Sequence, residues 1–147
     1  MKQSISDNIK LKIASHDDLP AILKIGSKLF DNEVKIYRAK EFLADPRHHL
    51  ALAYYNDAIV GMVSGFHYIH PDKDPELFIN EIAVLEKFQN QHIGRKLIQK
   101  IIAFSKGHGC HEAWLLTHEL NTAARKTFSA AAGTENEETV KLISFKY

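Results

Sequence analysis

Apolar and polar positions recur along the chain with two periods, and these periods predict its secondary structure. Residues 9–14, "IKLKIA", alternate as a half-buried strand does. Ser15 lies three residues before Asp18, which is a capping-box spacing, and apolar residues follow at near-helical intervals. Residues 33–44 predict a second helix, which Pro46 ends. The beginning of the chain therefore predicts one strand followed by two helices.

The middle of the chain predicts three consecutive strands. Residues 49–69 hold two apolar runs separated by Asn56 and Asp57, a pair typical of a tight hairpin turn. A polar loop between Pro71 and Pro75 then leads to a third apolar run, "LFINEIAVL", at 77–85. These runs indicate an antiparallel meander.

The last third of the chain predicts two more helices and two more strands. Residues 91–107 repeat apolar side chains on one helical face. A strand at 112–117, a helix at 121–133 and an alternating strand at 139–147 are predicted to follow. The order β-α-α-β-β-β-α-β-α-β predicts a mixed central β-sheet flanked by helices, in the α/β or α+β class. Because no linker divides residues 1–147, we expect a single domain.

Composition and charge exclude several classes of function. The formal net charge of the 147 residues is +1, so no basic surface for nucleic acid is expected. Apolar runs are too short to span a membrane, and residues 1–10 lack the apolar region of a signal peptide. Cys110 is the only cysteine and cannot form an internal disulfide, which favours a reducing, cytoplasmic environment.

The segment 88–98, "FQNQHIGRKLI", runs from a polar loop into a helix and directly follows a predicted strand. Unpaired N–H groups at a helix N-terminus attract anions. Arg95 and Lys96 in the first turn oppose the helix dipole, so a bound anion explains them better than helix stability does. Gly94 allows another group to approach the backbone closely. The alternative is an ordinary solvated amphipathic helix.

This loop resembles the acetyl-CoA pyrophosphate loop of the GNAT N-acetyltransferase superfamily. That loop has the pattern R/Q-x-x-G-x-G/A, which Gln89 and Gly94 match. His92 occupies the position of the first glycine, so one backbone approach to the pyrophosphate is altered, and its side chain could donate a hydrogen bond instead.

A second part of the family signature is present near residue 121. Asn121, with Ala124 three residues later and Phe128 seven later, resembles the N-x-x-A-x-x-x-Y helix beside the pantetheine arm. The whole predicted element order is similar to the GNAT fold. Among its members, the chain is most similar to aminoglycoside 3-N-acetyltransferases, because of "EIAV" on the central strand and the terminal "LISFKY".

The resemblance implies acetyl-CoA as co-substrate, with no metal, and a possible homodimer. Backbone groups of the central strand are expected to hold the pantetheine arm, and the loop after that strand is expected to hold the pyrophosphate. The expected cofactor-binding residues are Ile82, Ala83, Val84, Gln89, Asn90, Gln91, His92, Ile93, Gly94, Arg95, Asn121 and Phe128. For Asn121, the alternative is a helix N-cap.

Asn80 and Glu81 are two polar residues inside an apolar strand, where regular alternation would let only one face solvent. The other must lie in a cleft, a bulge or a paired network, because a buried carboxylate is costly. The amine must lose a proton to react, so Glu81 is predicted to be the base or the carboxylate that binds the amine. The alternative is a salt bridge from Glu81 to a lysine.

Acidic residues elsewhere predict a cationic acceptor. The predicted substrate-binding residues are Asp31, Glu33, Asn80 and Glu81. Asp72, Asp74 and Glu76 also crowd the loop before the central strand and are expected to border the same cleft.

Phe128 occupies the position of the tyrosine that serves as acid in the family, and it cannot donate a proton.

Two functions remain open from the sequence. The first is acetyl transfer from acetyl-CoA to a small amine by direct attack in a ternary complex. The alternative is a non-catalytic acyl-CoA-binding or sensory module on the same fold, which the changes at His92 and Phe128 suggest.

The histidines raise the question of a metal. His108, Cys110 and His111 lie close together, but ligands so near in sequence need partners elsewhere, and no second cluster is evident. Cys110 is therefore expected to be a small core residue and Trp114 to be buried in the core. His48, His49, His67 and His70 are expected on the surface of the hairpin.

Overall fold

One mixed β-sheet organises the protein, whose structure is a computed structural model that describes residues 4–147. The strands, in sheet order, are β1 Lys10–Ile13, β2 His48–Tyr55, β3 Ala58–Tyr68, β4 Glu76–Val84 and β5 Glu112–Trp114. The helices are α1 Leu19–Ile25, α2 Ile36–Ala44, α3 Ile93–Lys106 and α4 Thr122–Ala130. Strands β1 to β4 pair antiparallel, and β5 pairs parallel to β4 after the α3 crossover. The predicted class of fold is confirmed.

Local sequence signals place two of the turns as expected. Asn56 and Asp57 join β2 to β3 with φ angles of 48° and 62°, the left-handed pair that a two-residue hairpin requires. Ser15 and Asp18 form the expected capping box, since Asp18 Oδ2 accepts a hydrogen bond from Ser15 N at 2.8 Å. That box closes a 3-10 turn at His16–Asp18, and α1 begins immediately after it.

Helices cover both faces of the sheet. The apolar stripe of α3, made by Ile93, Leu97, Ile98 and Ile101, is buried against one face. The α1–α2 segment packs on the other face around Ile22. Burying such a side chain contributes roughly 1.5–3 kcal/mol, so the stripe fixes the position of α3 under the sheet. Within residues 4–147, no helix is long and apolar enough to cross a membrane.

The end of the chain differs from its sequence prediction. Residues 139–147 form no strand in this structure, although their alternation is typical of one. Strand β5 is also shorter than the predicted 112–117, and Trp114 is 39% exposed rather than a core residue. As a result, no strand covers the outer edge of β5 among residues 4–147.

Three histidines, which we call the histidine cluster, meet beside the C-terminal end of α3. His49 is only 4% exposed, and its Nε2 lies 2.7 Å from His67 Nδ1. The ring of His108 stacks against both, at centroid distances of 5.0 and 5.2 Å. The expectation of a surface position is wrong for His49, because His108, in the turn after α3, stacks against its ring.

The histidine cluster predicts a dependence of stability on pH. Burial, with the nearby His67 and His108, lowers the pKa of His49 to about 4. An unfolded histidine has a pKa near 6.5, so only the unfolded chain takes up this proton between pH 6.5 and 4. The contribution of neutral His49 to the free energy of unfolding is therefore complete above pH 6.5 and decreases as the pH falls toward 4. We expect His49 to account for a loss of about 2 kcal/mol of unfolding free energy between pH 7.5 and pH 5.

Urea unfolding of a matched pair of variants tests this dependence. His49→Gln should flatten the fall in stability between pH 7.5 and pH 5. His48→Gln, at the exposed neighbouring position, should keep the parent's dependence. Parallel curves for the parent and His49→Gln would show that other groups cause the effect.

Candidate functional site

A cleft opens where β4 and β5 separate. The two strands pair only from Glu76–Phe78 to Glu112–Trp114, so β4 has no ladder partner on this side from Ile79 to Val84 within the described chain. Residues Leu115–His118 and α4 form the opposite wall. The cleft encloses about 620 Å³, which is the size of a small-molecule site.

A β-bulge on β4 sets the floor of this cleft. Ser64 on β3 faces Glu81, but the next residue, Gly65, faces Ile79, so Asn80 is an extra residue on β4. A Cβ at Gly65 would lie 2.7 Å from the carbonyl oxygen of Phe78, so the chains approach here as only glycine allows. The bulge breaks the alternation, and both Asn80 and Glu81 line the cleft.

Glu81 is a half-buried carboxylate without a cationic partner. Burial raises the pKa of Glu81 above its ordinary value, and the negative charge of Asp31 raises it further. No lysine or arginine nitrogen of residues 4–147 lies within 4.0 Å of Glu81, so the alternative of a lysine salt bridge is not formed. A carboxylate in this environment is suited to accept a proton or to bind an ammonium group.

A second cavity of about 630 Å³ lies on the other side of Glu81. Its walls come from the α1–α2 connection, residues 30–35, and from one side of α2. Asp31, Asn80 and Glu81 line both cavities. Glu33 lines the second cavity, so the four predicted substrate-binding residues come together here. Glu81 thus lies at the junction of the two cavities.

Three further acidic residues do not line either cavity, contrary to the sequence prediction. Asp72 and Asp74 are exposed, and Glu76 begins β4, about 16 Å along the strand from Glu81. Glu76 accepts a hydrogen bond from the Tyr68 hydroxyl, and its Oε1 forms an ion pair with Lys73 Nζ at 3.2 Å. The loop lies at the end where β4 and β5 are still paired, which the sequence did not reveal.

The loop after β4 carries the predicted anion site. Gln89 Nε2 donates a hydrogen bond to the carbonyl oxygen of Val84 at 3.0 Å, which fastens the loop to the end of the strand. Asn90 and His92 have φ angles of 58° and 62°. This left-handed conformation favours glycine, which explains why a glycine suits the position of His92. The His92 side chain is exposed and makes no capping bond.

The N-terminus of α3 presents free backbone donors. The first helical bond runs from Lys96 N to the carbonyl oxygen of His92, at 3.1 Å. The N–H groups of Ile93, Gly94 and Arg95 have no acceptor among the described residues. Because the Ile93 side chain is buried, that residue can offer an anion only its N–H group. Arg95 Nε is also buried without a partner in this part of the chain.

The structure corrects the expectations for two residues in the first turn of α3, Lys96 and Gly94. Lys96 Nζ donates hydrogen bonds to Ser6 Oγ at 2.8 Å and to its carbonyl oxygen at 3.3 Å, so Lys96 fastens an N-terminal turn instead of facing the anion site. At Gly94, a Cβ would lie 3.2 Å from Thr127 Cγ2. The close approach that Gly94 permits is therefore to helix α4.

Helix α4 supplies part of the opposite wall. The side-chain oxygen of Asn121 accepts a hydrogen bond from Ala124 N at 3.2 Å, so Asn121 is the helix N-cap that the alternative described. Asn121 Nδ2 has no acceptor within residues 4–147, and the residue lines the cleft. Phe128 is half-buried, lines the same cleft and packs against the α3 core.

The residues "HGCH" do not converge on one centre. His108 belongs to the histidine cluster, Cys110 is buried, and His111 faces Glu76 at 3.8 Å. Within the described chain, Glu76, His111 and Glu112 do place three ligand atoms within 4.8 Å of one another. That group lies where β4 and β5 are paired, away from the cleft.

The sequence alone did not identify some of the residues that line the two cavities. Residues 115–117 were predicted to continue a buried strand, but they diverge from β4 and line the cleft together with His118. Lys35 and Arg38 line the second cavity and carry no motif that marks them. Only the folded positions of β5 and α2 identify these residues.

Comparisons with known protein families, curated sequences and solved structures show what this chain is similar to. A family profile described as "Acetyltransferase (GNAT) family" matches residues 19–133. A search of curated protein sequences gave no significant match. Among solved structures, the chain is similar to an aminoglycoside acetyltransferase, meta-AAC0020, from an uncultured soil metagenomic sample, in complex with sisomicin. The TM-score is 0.85 and the identity 19%, over 98% of this chain and 100% of that chain.

Two further structures show the range of proteins with this fold. AAC(6')-Iy in complex with the bisubstrate analog CoA-S-monomethyl-acetylneamine has a TM-score of 0.80 and 19% identity, over 95% of this chain and 99% of that one. A ribosomal-protein-alanine N-acetyltransferase from Brucella melitensis has a TM-score of 0.73 and 13% identity, over 94% and 99%. At these identities the similarity concerns the fold.

Proposed function

Because the chain belongs to the GNAT acetyltransferase family, we propose that it transfers the acetyl group of acetyl-CoA to a primary amine of a small, cationic acceptor. The observation that carries this proposal is the position of Glu81. It is a half-buried carboxylate without a cationic partner in the described chain, at the junction of two cavities of similar size. One cavity suits the cofactor arm and the other suits the amine.

The cleft between β4 and β5 is proposed to hold acetyl-CoA. The unpaired edge of β4 at Ile82, Ala83 and Val84 can bond the amides of the pantetheine arm as an added strand would. The free N–H groups of Ile93, Gly94 and Arg95 can bind the pyrophosphate at the positive end of α3.

The rest of the loop has a supporting part in this proposal. Gln89, Asn90 and Gln91 shape the turn, in which Gln89 fastens the loop to β4. The exposed His92 can add a side-chain hydrogen bond to a phosphate. On the other wall, Asn121 Nδ2 can contact the arm while its oxygen caps α4.

The proposed reaction is direct attack in a ternary complex. The neutral amine attacks the carbonyl carbon of the thioester, a C–N bond forms, and the C–S bond breaks as CoA leaves as a thiolate. Glu81 takes the proton from the amine, directly or through a water. Phe128 has no proton to give, so the thiolate leaves unprotonated or takes a proton from water; a thiol pKa near 8.5 makes this tolerable near neutral pH.

Charge at the junction supports a cationic acceptor. Asp31 and Glu81 are close enough for Asp31 to raise the pKa of Glu81, and a cation between them would relieve that repulsion. Glu33 adds a third carboxylate. The same cavity carries Lys35 and Arg38, but Arg38 is paired with Glu41 at 2.7 Å. Aminoglycosides and polyamines fit this chemistry, and one of the similar structures is an aminoglycoside acetyltransferase in complex with sisomicin.

A second candidate function rests on two substitutions. His92 replaces a glycine of the family loop, and Phe128 replaces its tyrosine acid. A non-catalytic acyl-CoA-binding or sensory module would tolerate both changes, because it needs the cofactor cleft without turnover. The presence of Glu81 at the junction of the cavities favours the enzyme.

An acceptor screen tests the proposed function. The protein is incubated with acetyl-CoA and with aminoglycosides, polyamines, amino acids or peptides, and the release of free thiol is followed. We expect turnover with polycationic amines and none with acidic or neutral acceptors. Tight CoA binding without turnover on any amine would favour the non-catalytic module, and turnover only with acidic or neutral amines would contradict the cationic acceptor.

A further inference from the structure

A group of imidazole and carboxylate side chains lies at the paired end of β4 and β5 and takes no part in the proposed reaction. Ligand atoms of Glu76, His111 and Glu112 lie within 4.8 Å of one another. The group is about 16 Å along β4 from Glu81, and none of its members lines either cavity. One imidazole and two carboxylates together are donors that can bind a divalent transition metal.

Two interatomic distances in this group match those of ligands that share one metal ion. His111 Nε2 lies 3.8 Å from Glu76 Oε1, and His70 Nε2 lies 3.4 Å from Glu76 Oε2. Two ligand atoms on a tetrahedral zinc ion, each about 2.1 Å from it, are about 3.4 Å apart. His70 Nε2 is buried and forms no hydrogen bond within residues 4–147, so it is available as a further ligand. The ring of Tyr68 packs edge-on against the ring of His70 and holds it in place.

Neighbouring groups also orient the other ligands, as outer partners do around a metal site. The carbonyl oxygen of Pro75 lies 3.2 Å from His111 Nδ1 and can only accept a hydrogen bond, so Nδ1 carries the proton. The lone pair of neutral His111 is therefore on Nε2, the nitrogen nearer to Glu76. The Tyr68 hydroxyl donates a hydrogen bond to Glu76 and accepts one from Trp114 Nε1 at 2.8 Å.

The charges at this position favour a bound cation. Glu76 and Glu112 are register partners on neighbouring strands, so their carboxylates repel each other. Lys73 Nζ, 3.2 Å from Glu76 Oε1, offsets part of this repulsion. Glu112 has no lysine or arginine partner in the described chain. Because the side chain of Lys73 is 47% exposed, its ammonium group can move into water when a divalent ion binds.

We propose that Glu76, His111 and Glu112 bind one zinc ion, and that His70 supplies the fourth ligand. Imidazole nitrogen combined with carboxylate oxygen suits zinc, whereas Mg²⁺ and Ca²⁺ prefer oxygen ligands. The ligands come from the loop after β3, the first residue of β4 and the start of β5. Strands β4 and β5 share only three register pairs, of which Glu76–Glu112 is the first. The ion fastens β5 to the sheet just before the two strands separate into the cleft.

Titration of the full chain with Zn²⁺ alone, followed by calorimetry and by thermal unfolding, tests the proposal. We expect one ion per chain and a rise in melting temperature with Zn²⁺, and no rise with Mg²⁺. His111→Gln should weaken zinc binding about 10²-fold. Because the side chain of His111 is 43% exposed, this variant should keep the parent's far-ultraviolet circular dichroism without zinc. Zinc should also slow hydrogen exchange in residues 112–114 of the parent.

Lys73→Gln is expected to change zinc affinity in the opposite direction. The substitution removes the ammonium group that competes with zinc for Glu76, so this variant should bind zinc more tightly than the parent. Loss of structure in a variant does not raise affinity, so a gain identifies Glu76 as a ligand whatever happens to the fold of His111→Gln.

His16→Gln provides the matched control, because His16 is an exposed histidine in the turn before α1. It should bind zinc as the parent does. The proposal is overturned if the parent binds no zinc, if His111→Gln keeps the parent's affinity, or if Lys73→Gln binds zinc no more tightly than the parent. Zinc binding that is abolished by His49→Gln would place the ion in the histidine cluster, which also overturns the proposal.

Discussion

Glu81→Gln is expected to bind CoA as tightly as the parent protein and to lose about 10²-fold or more of its turnover. The substitution keeps the shape of the side chain at the junction of the two cavities and removes its ability to accept a proton. Because β4 holds Glu81 opposite Ser64 at the bulge, the exchange leaves the cleft itself unchanged. CoA affinity, measured by calorimetry, and turnover, measured by thiol release, separate these two roles.

The pH dependence of turnover provides the second part of this test. Burial and Asp31 raise the pKa of Glu81, and only the ionised carboxylate can take the proton, so turnover should fall as the pH falls through that raised pKa. This acid limb should be missing from the residual activity of Glu81→Gln. Asp74→Asn, on an exposed carboxylate outside both cavities, should match the parent in both rate and profile. Parent-like turnover in Glu81→Gln would remove Glu81 from the mechanism.

Gly94→Asp is expected to abolish the stabilisation of the protein by CoA. At a CoA concentration 100 times its Kd, mass action adds about 2.7 kcal/mol to the free energy of unfolding. A carboxylate at the N-terminus of α3 would repel the pyrophosphate from the N–H groups of Ile93, Gly94 and Arg95. Thermal unfolding with and without CoA should show a large shift for the parent and none for this variant.

The structure shows why this variant needs a steric control. A Cβ at Gly94 would lie 3.2 Å from Thr127 Cγ2, so any side chain here presses on α4. Gly94→Ala adds that Cβ without the charge, and it should lower the melting temperature slightly while keeping most of the CoA shift. A full CoA shift in Gly94→Asp would place the anion site elsewhere. Equal loss in both variants would assign the effect to helix packing.

Local signals made much of the fold predictable from the sequence. The pair Asn56–Asp57 requires a left-handed turn, and the spacing of Ser15 and Asp18 requires a cap, so each signal names its own structure. The apolar stripe of α3 was equally clear, because a helix with one apolar face must bury it. Such features depend on residues that are close in sequence, and the predictions based on them were correct.

The site was partly predictable because polar residues in an apolar strand need a reason. Asn80 and Glu81 could not both fit a regular strand, and the bulge at Asn80 resolves the conflict by placing both in the cleft. What the sequence did not reveal were distances between elements. The hydrogen bond from Lys96 to Ser6 and the close approach of Thr127 to Gly94 depend on how segments that are distant in sequence pack together.

The errors share this origin. Glu76 was expected at the cleft because it precedes the central strand, but it lies at the paired end of β4 and is held by Tyr68 and Lys73. His49 was expected at the surface because it begins a hairpin strand, but α3 ends beside it and His108 covers it. Exposure at a strand end depends on what the rest of the chain places there.

The central claim is that one cleft between β4 and β5 binds acetyl-CoA, with Glu81 at its floor. Hydrogen–deuterium exchange of the full chain, measured with and without CoA, tests it most directly. We expect CoA to slow exchange in residues 82–84, on the unpaired edge of β4, and in residues 93–95, at the N-terminus of α3. Slowed exchange confined to other segments, or unchanged exchange at saturating CoA, would contradict it.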